Sequence, residues 1–321
     1  MSGSGATDWA AWVTGLRAQG IHQLRVAWAD LHGSFRSKTL VCSDTTGEAA
    51  THVLQDALQA ALAGTLADGI GMVSTLLLKD SSDRSALPLF GLSARLANGT
   101  APEWRSAGNM LLLPDPDSLR PLPWSPGTGW LRATPVWADG RAVEADPRYV
   151  LQRAVADLRS VGLTLQCGLE VEFHVYRMVD SQLAAADSAW PAAPPRVELL
   201  HPGYQLLSEA HSDATDAVLQ IVRSTALGLG LPLRSLEIEF GPSQFEAVFA
   251  PTSALTAADH MLLFRNGVRQ ALRRAGYHAS FACRPPFPNA IASGWHLHQS
   301  LVDAQGHNVF SRGAGTIDDS A

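Results

Sequence analysis

The sequence predicts an α+β fold in two domains, on three observations. The chain has 321 residues, against roughly 100–200 for a single domain. Its strand-like segments alternate polar and apolar side chains at a period of two. Its helix-like segments fall between only some of the strands, which favours a mostly antiparallel sheet with helices on one side over a regular βαβ repeat. Hydrophobic residues make up 46% of the chain and charged residues 17%, a balance that supports sizeable cores.

The elements follow in order. Asp8 is placed to cap a first helix that closes at Gly20. "LRVAWADLHGSFRSKTL" reads as strand, turn over Asp30–Gly33, strand. A helix is expected from about Gly47 to Ala63, then strands over "MVSTLLLKD" and "NMLLLPD". "PDPDSLRPLPWSPGTG" is rich in proline and glycine and is expected near the seam between domains. Asp146 and Pro147 open a helix that Gly162 ends. After the strand "GLEVEFHVY", residues 177–211 read as irregular, with "WPAAPPRVELLHPGYQ" as a loop. Asp213 is expected to start a helix ending near Gly230. "LRSLEIEF" and "QFEAVFA" read as strands around a Gly241–Pro242–Ser243 turn. Thr256, with Asp259 three residues on, opens a long helix closing at Gly276, and "HASFACR" and "SGWHLHQSLV" read as two final strands.

Composition narrows the function. A net charge of -6 offers no basic footprint for nucleic acid. The N-terminus lacks the basic and apolar stretches of a signal peptide, and no run of about 18 apolar residues predicts a membrane span. Cys42, Cys167 and Cys283 are odd in number and far apart, so they build neither a disulfide framework nor a zinc pattern. A soluble cytoplasmic protein is the expectation. No Walker-type loop, G-x-G-x-x-G turn or G-x-S-x-G elbow is present.

The chemistry concentrates in three strands. Glu170 and Glu172 point to one face of theirs. Glu237, Glu239, Gln244 and Glu246 belong to the following hairpin, and His296, His298 and Ser300 share a face of the last strand, with Trp295 and Leu297 on the other. Two adjacent carboxylates in an apolar strand repel and are costly to desolvate. Carboxylates with one or two imidazoles suit hard divalent cations, magnesium or manganese, and their number suits two ions. Each piece also has a plain structural reading. An E-x-E strand is often an exposed edge, Glu237 can face solvent or pair with an arginine, and a single histidine is by default structural. His174, His201, His211 and His278 are read that way.

Taken together, "WADLHGSFRSK", "NMLLLPDPDSLRPLPW", "DPRYVLQRAVADL", "GLEVEF", "LEIEFGPSQFE" and "SGWHLHQSL" resemble the glutamine synthetase family, in particular its γ-glutamylpolyamine synthetase-like bacterial branch. The resemblance runs from about residue 20 to about residue 310. It implies an N-terminal β-grasp domain, residues 1–140, and a glutamine synthetase-type catalytic domain, residues 141–321. It implies an ATP-dependent ligase of nitrogen metabolism that activates the carboxylate of glutamate, or a similar acid, as an acyl phosphate, which ammonia or an amine then displaces. By that resemblance Glu172, Glu239 and Glu246 match ligands of the ion nearer the substrate carboxylate. Glu170 and His296 match ligands of the ion that bridges ATP phosphates, His298 and Ser300 match nucleotide contacts, and Ala292 matches a substrate contact. Homo-oligomeric rings, hexamers or paired hexamers, are also implied.

The sequence departs from the family in places. Arg284–Pro285 stands where the family often has Lys-Pro, and Ile291–Ala292 where it has Asn-Gly. No aspartate aligns cleanly near "DGIGMVST" to bind ammonium. The family's pattern continues past "SRGAGTIDDSA" with a third ligand of the second ion, a flap glutamate and substrate-clamping arginines. The residues after Ser300 carry none of these, so the catalytic domain is expected to be incomplete: either this is a ligase or a fragment of one, or it is a non-catalytic remnant that binds metal or oligomerises. A two-metal hydrolase on an unrelated fold is a third reading.

Overall fold

The computed structural model describes residues 7–42, 52–86, 108–180, 184–190 and 192–311. The chain divides into two units, Met1–Tyr149 and Val150–Ala321. The stretch "PDPDSLRPLPWSPGTG" lies inside the first unit, not at the seam.

In the first unit α1 (Trp9–Ala18) starts at Asp8, whose carboxylate accepts from the Ala11 amide, and Gly20 beyond its end takes a φ of 69°. Strands β1 (Gln23–Ala29) and β2 (Phe35–Val41) form the expected hairpin, with Asp30 capping its turn through the His32 and Ser34 amides. Helix α2 (His52–Asp68) runs further than expected, and the expected start at Gly47 lies outside the described residues. "MVSTLLLKD" gives only the short β3 (Ile70–Val73), after which Ser74–Leu78 turns as a 3₁₀ helix. Strands β4 (Asn109–Pro114), β5 (Arg120–Pro121) and β6 (Thr128–Val136) complete a sheet in the order β2-β1-β6-β4-β3, with β5 beside β6. The proline-rich stretch supplies β5 and the turn that feeds β6. Strands β1 and β6 pair in parallel. Leu24, Val26, Trp28, Leu112 and Leu131 fill the core with Leu16 and Leu66 from the two helices.

Helix α3 (Pro147–Ser160) opens as expected. Asp146 accepts from the Tyr149 amide with one oxygen and from the Trp28 indole with the other, and burial raises its pKa.

The second unit is organised around one long strand, β7 (Thr164–Met178). Antiparallel partners cover its length: β10 (Gln244–Phe249), β11 (Thr252–Ser253), β12 (Tyr277–Ser280), β13 (Trp295–Val302) and the two-residue β8 (Val197–Glu198). Strand β9 (Leu233–Ile238) pairs with β10. Two helix starts differ from expectation, in each case because a serine upstream caps first. Ser208 caps α4 (Glu209–Ala214), which leaves Asp213 inside it and is followed by α5 (Asp216–Gly228). Ser253 caps α6 (Ala254–Arg274), and Thr256 lies in its first turn. Phe173, Phe245 and Phe264 pack edge-on or tilted beneath the sheet and are fully buried. No helix among the described residues is long and apolar enough to cross a membrane.

Candidate metal centre

Register brings the polar faces of four strands together. Glu246 stands opposite Glu172 across β7 and β10, and opposite Glu237 across β9 and β10. His296 stands opposite Glu170 across β7 and β13. Because side chains alternate, all of these project from one face of the sheet while Val171, Phe173 and Val175 fill the other. Glu239 lies just past β9, and its amide bonds to the Gln244 carbonyl, which closes the hairpin turn.

Two groups of donor atoms result, each with its atoms within 4.8 Å of one another: Glu170, Glu246 and His296 in the first, and Glu172, Glu239 and Glu246 in the second. Glu246 belongs to both. The His296 Nδ1 lies 3.4 Å from Glu170 and 3.7 Å from Glu246, and its Nε2 lies 3.9 Å from Glu172. His298 Nε2 lies 3.3 Å from Glu170. Close approach at this point requires Gly294: a Cβ there would stand 2.6 Å from His296 Nε2 and 2.9 Å from Glu172 Oε1.

The electrostatics match a site built to hold positive charge. Burial, and then the carboxylates of Glu239, Glu170, Glu172 and Glu237, push the Glu246 pKa up to about 7. Burial raises Glu239 as well. Glu170 moves the other way, held down first by its hydrogen bond with His298. Oxygen donors with one imidazole and no thiolate fit magnesium or manganese. The donor atoms present therefore suit a divalent metal.

The remaining sequence-derived candidates lie around these groups. Ser300 stands opposite Gln166 on β13, outside both donor groups. Ala292 is exposed, and its carbonyl accepts from the Gln244 amide. Glu237 is held by the Ser235 hydroxyl at 2.7 Å. The sequence had placed Gln244 on the hairpin without a role; in the structure it is 1% exposed and bonded to Glu172. His174, read as structural or surface, follows Glu170 and Glu172 at the same period of two and is fully buried on their face, where the Ser293 hydroxyl meets its Nδ1. The run Glu170, Glu172, His174, Tyr176 was the available signal.

Comparison with known proteins adds to this geometry. The family profile described as glutamine synthetase, catalytic domain, matches residues 144–321. A γ-glutamylanilide synthase from Acinetobacter is 33% identical over 304 residues, 93% of this chain and 57% of that protein. The γ-glutamylethanolamide synthetase GlnA4 of Streptomyces coelicolor is 30% identical over 67% of this chain and 45% of its own length. The chain thus spans about half the length of the curated relatives it matches. Among solved structures, the GmaS/ADP complex aligns with a TM-score of 0.65 at 25% identity, over 95% of this chain and 58% of that one.

Proposed function

The chain belongs to the glutamine synthetase family, and from that premise we propose that it serves an ATP-dependent ligase that joins glutamate, or a similar carboxylic acid, to ammonia or an amine through an acyl phosphate. The observation that carries this reading is the pair of donor groups meeting at Glu246 on one sheet face. Magnesium or manganese, when bound, supplies positive charge against the phosphates and the developing charge of the transferred group. The chain's own residues set where that charge sits. Glu172, Glu239 and Glu246 would hold one ion, assigned by family resemblance to the substrate carboxylate side. Glu170 and His296, with Glu246 in reach, would hold the other, assigned to the ATP phosphates. His298, in contact with Glu170, and Ser300 further along β13 serve the nucleotide side, and Ala292 the amino-acid end of the substrate.

We read the first unit as a β-grasp domain, supported by its hairpin, its parallel β1–β6 pair and its two packed helices. A domain boundary at 140/141 keeps α3 whole within the catalytic domain. A homo-oligomeric ring and a cytoplasmic location complete the proposal by family resemblance.

The names of the relatives point to amines beyond ammonia: the two described above carry anilide and ethanolamide products, and others are glutamate–isopropylamine and glutamate–methylamine ligases. The deciding experiment measures phosphate release from ATP with glutamate and a panel of ammonia, methylamine, ethanolamine, isopropylamine and aniline. Release that needs ATP, a divalent ion and one of these amines supports the ligase. Metal binding with no turnover on any amine favours the non-catalytic reading. Metal-dependent hydrolysis without ATP overturns both.

A further inference from the structure

Gln244 is 1% exposed, yet its amide reaches Glu172 of the candidate metal centre. Its Nε2 donates to Glu172 Oε2 at 2.7 Å and lies 3.1 Å from the Ala292 carbonyl and 3.2 Å from the Ser293 hydroxyl. Its Oε1 accepts from the Gly241 amide at 2.9 Å. These partners fix which way the amide faces. Turned over, it would set an oxygen against a carboxylate and an NH₂ against an N–H. Ser293, itself buried, carries the network on to His174 Nδ1 at 3.2 Å. The free oxygen of Glu172, Oε1, is the one that faces His296 Nε2.

We propose that Gln244 is a positioning residue: by occupying Oε2 of Glu172 and tying it to the segment Ala292–Ser293, it aims Oε1 at the cation and sets Glu172 as a one-oxygen ligand. This rests on the reading of Glu172 as a ligand. An amide suits the task because it donates to the carboxylate without adding a charge. A glutamate here would add one more negative charge to a face that already holds Glu170, Glu172, Glu239 and Glu246. Gly241 is part of the same device. A Cβ at that position would stand 2.4 Å from Gln244 Oε1, so the amide reaches Glu172 only over a glycine.

Partners that orient a metal ligand typically alter affinity about 10–100-fold when removed. The test is Mn²⁺ titration of the full chain, read by the electron paramagnetic resonance of free and bound ion, alongside thermal melting without metal. Gln244→Leu keeps the bulk and removes the donor. Gly241→Ala keeps every polar group and displaces the amide, while its Cβ also stands 3.0 Å from the Ile291 Cβ. Both are expected to weaken one Mn²⁺ about tenfold or more, the same ion that Glu172→Ala removes, with the other ion unchanged; Gln244→Leu also leaves the buried Gly241 amide without its acceptor and lowers the metal-free melting temperature. If both variants bind both ions as the parent chain does while Glu172→Ala loses one, the positioning role is wrong and the ligand role stands. If Glu172→Ala keeps both ions, the ligand reading itself fails. Equal weakening of both ions in the two variants overturns positioning in favour of a purely structural role.

Discussion

Glu246 concentrates the electrostatic problem of the sheet face in one side chain. It is 8% exposed, faces Glu172 and Glu237 in register, and lies in both donor groups. Removing it should act differently from removing its neighbours. Glu246→Ala is expected to weaken both bound ions, whereas Glu239→Ala weakens only one and His296→Ala only the other. Calorimetric titration with Mn²⁺ checks this, and selective loss of a single ion in the Glu246 variant would contradict it. At this scale much was legible. A period of two placed Glu170 with Glu172 and His296 with His298, because strand alternation is local. The meeting of Glu246 with Glu170 was not legible, since register between β7, β10 and β13 is a property of pairing rather than of spacing. The same limit hid Gln244, whose position was read correctly and whose partner, Glu172, lies 72 residues away along the chain.

Caps and turns decided how the elements compared with expectation. Where one residue has the right side chain at the right place, as at Asp8 and Asp146, the helix begins there. Where a serine lies a few residues ahead of the expected cap, Asp213 in one case and Thr256 in the other, it captures the first free amides and the helix starts earlier, as at Ser208 and Ser253. The 3₁₀ turn Ser74–Leu78 shows the opposite limit, since an apolar run does not by itself choose between strand and helix. Asp146 joins both kinds of stabilisation, capping α3 and accepting the Trp28 indole. Asp146→Ala removes the cap and leaves a buried indole N–H without its acceptor, so a loss on the order of 2 kcal/mol is expected. Urea unfolding followed by tryptophan fluorescence measures it. A loss no larger than that of an exposed aspartate would show that the indole contact contributes nothing.

At the scale of the whole molecule, buried imidazoles make stability depend on pH. His201 is 3% exposed, stacked on His211 at 5.0 Å and edge-on to Phe245. Burial pushes its pKa down to about 4, with the charge of His211 adding to the effect and the Gln244 backbone opposing it; His174 is the other imidazole close by. Below the ordinary histidine value of about 6.5 the unfolded chain gains a proton that the folded chain refuses. The contribution of His201 is therefore complete above that pH and falls away as pH drops towards about 4, by up to ~3 kcal/mol. The difference in unfolding free energy between the parent chain and His201→Phe, followed from pH 7 to pH 4, isolates it; a difference independent of pH would refute the assignment. The strand at the centre of the second unit has a consequence of another kind. Among the described residues β7 pairs with β8 and β10 before β13 in chain order, with Val171 pairing Trp295. On the edge opposite β10, β12 takes residues 174–177 of β7 and β13 takes residues 164–171, so during synthesis the 164–171 stretch of that edge stays unmatched until β13 is made. Such long-range closure is slow, and an open edge invites pairing with other chains. That open stretch carries Glu170, and a charged residue on an unpaired strand discourages pairing with other chains until β13 covers it.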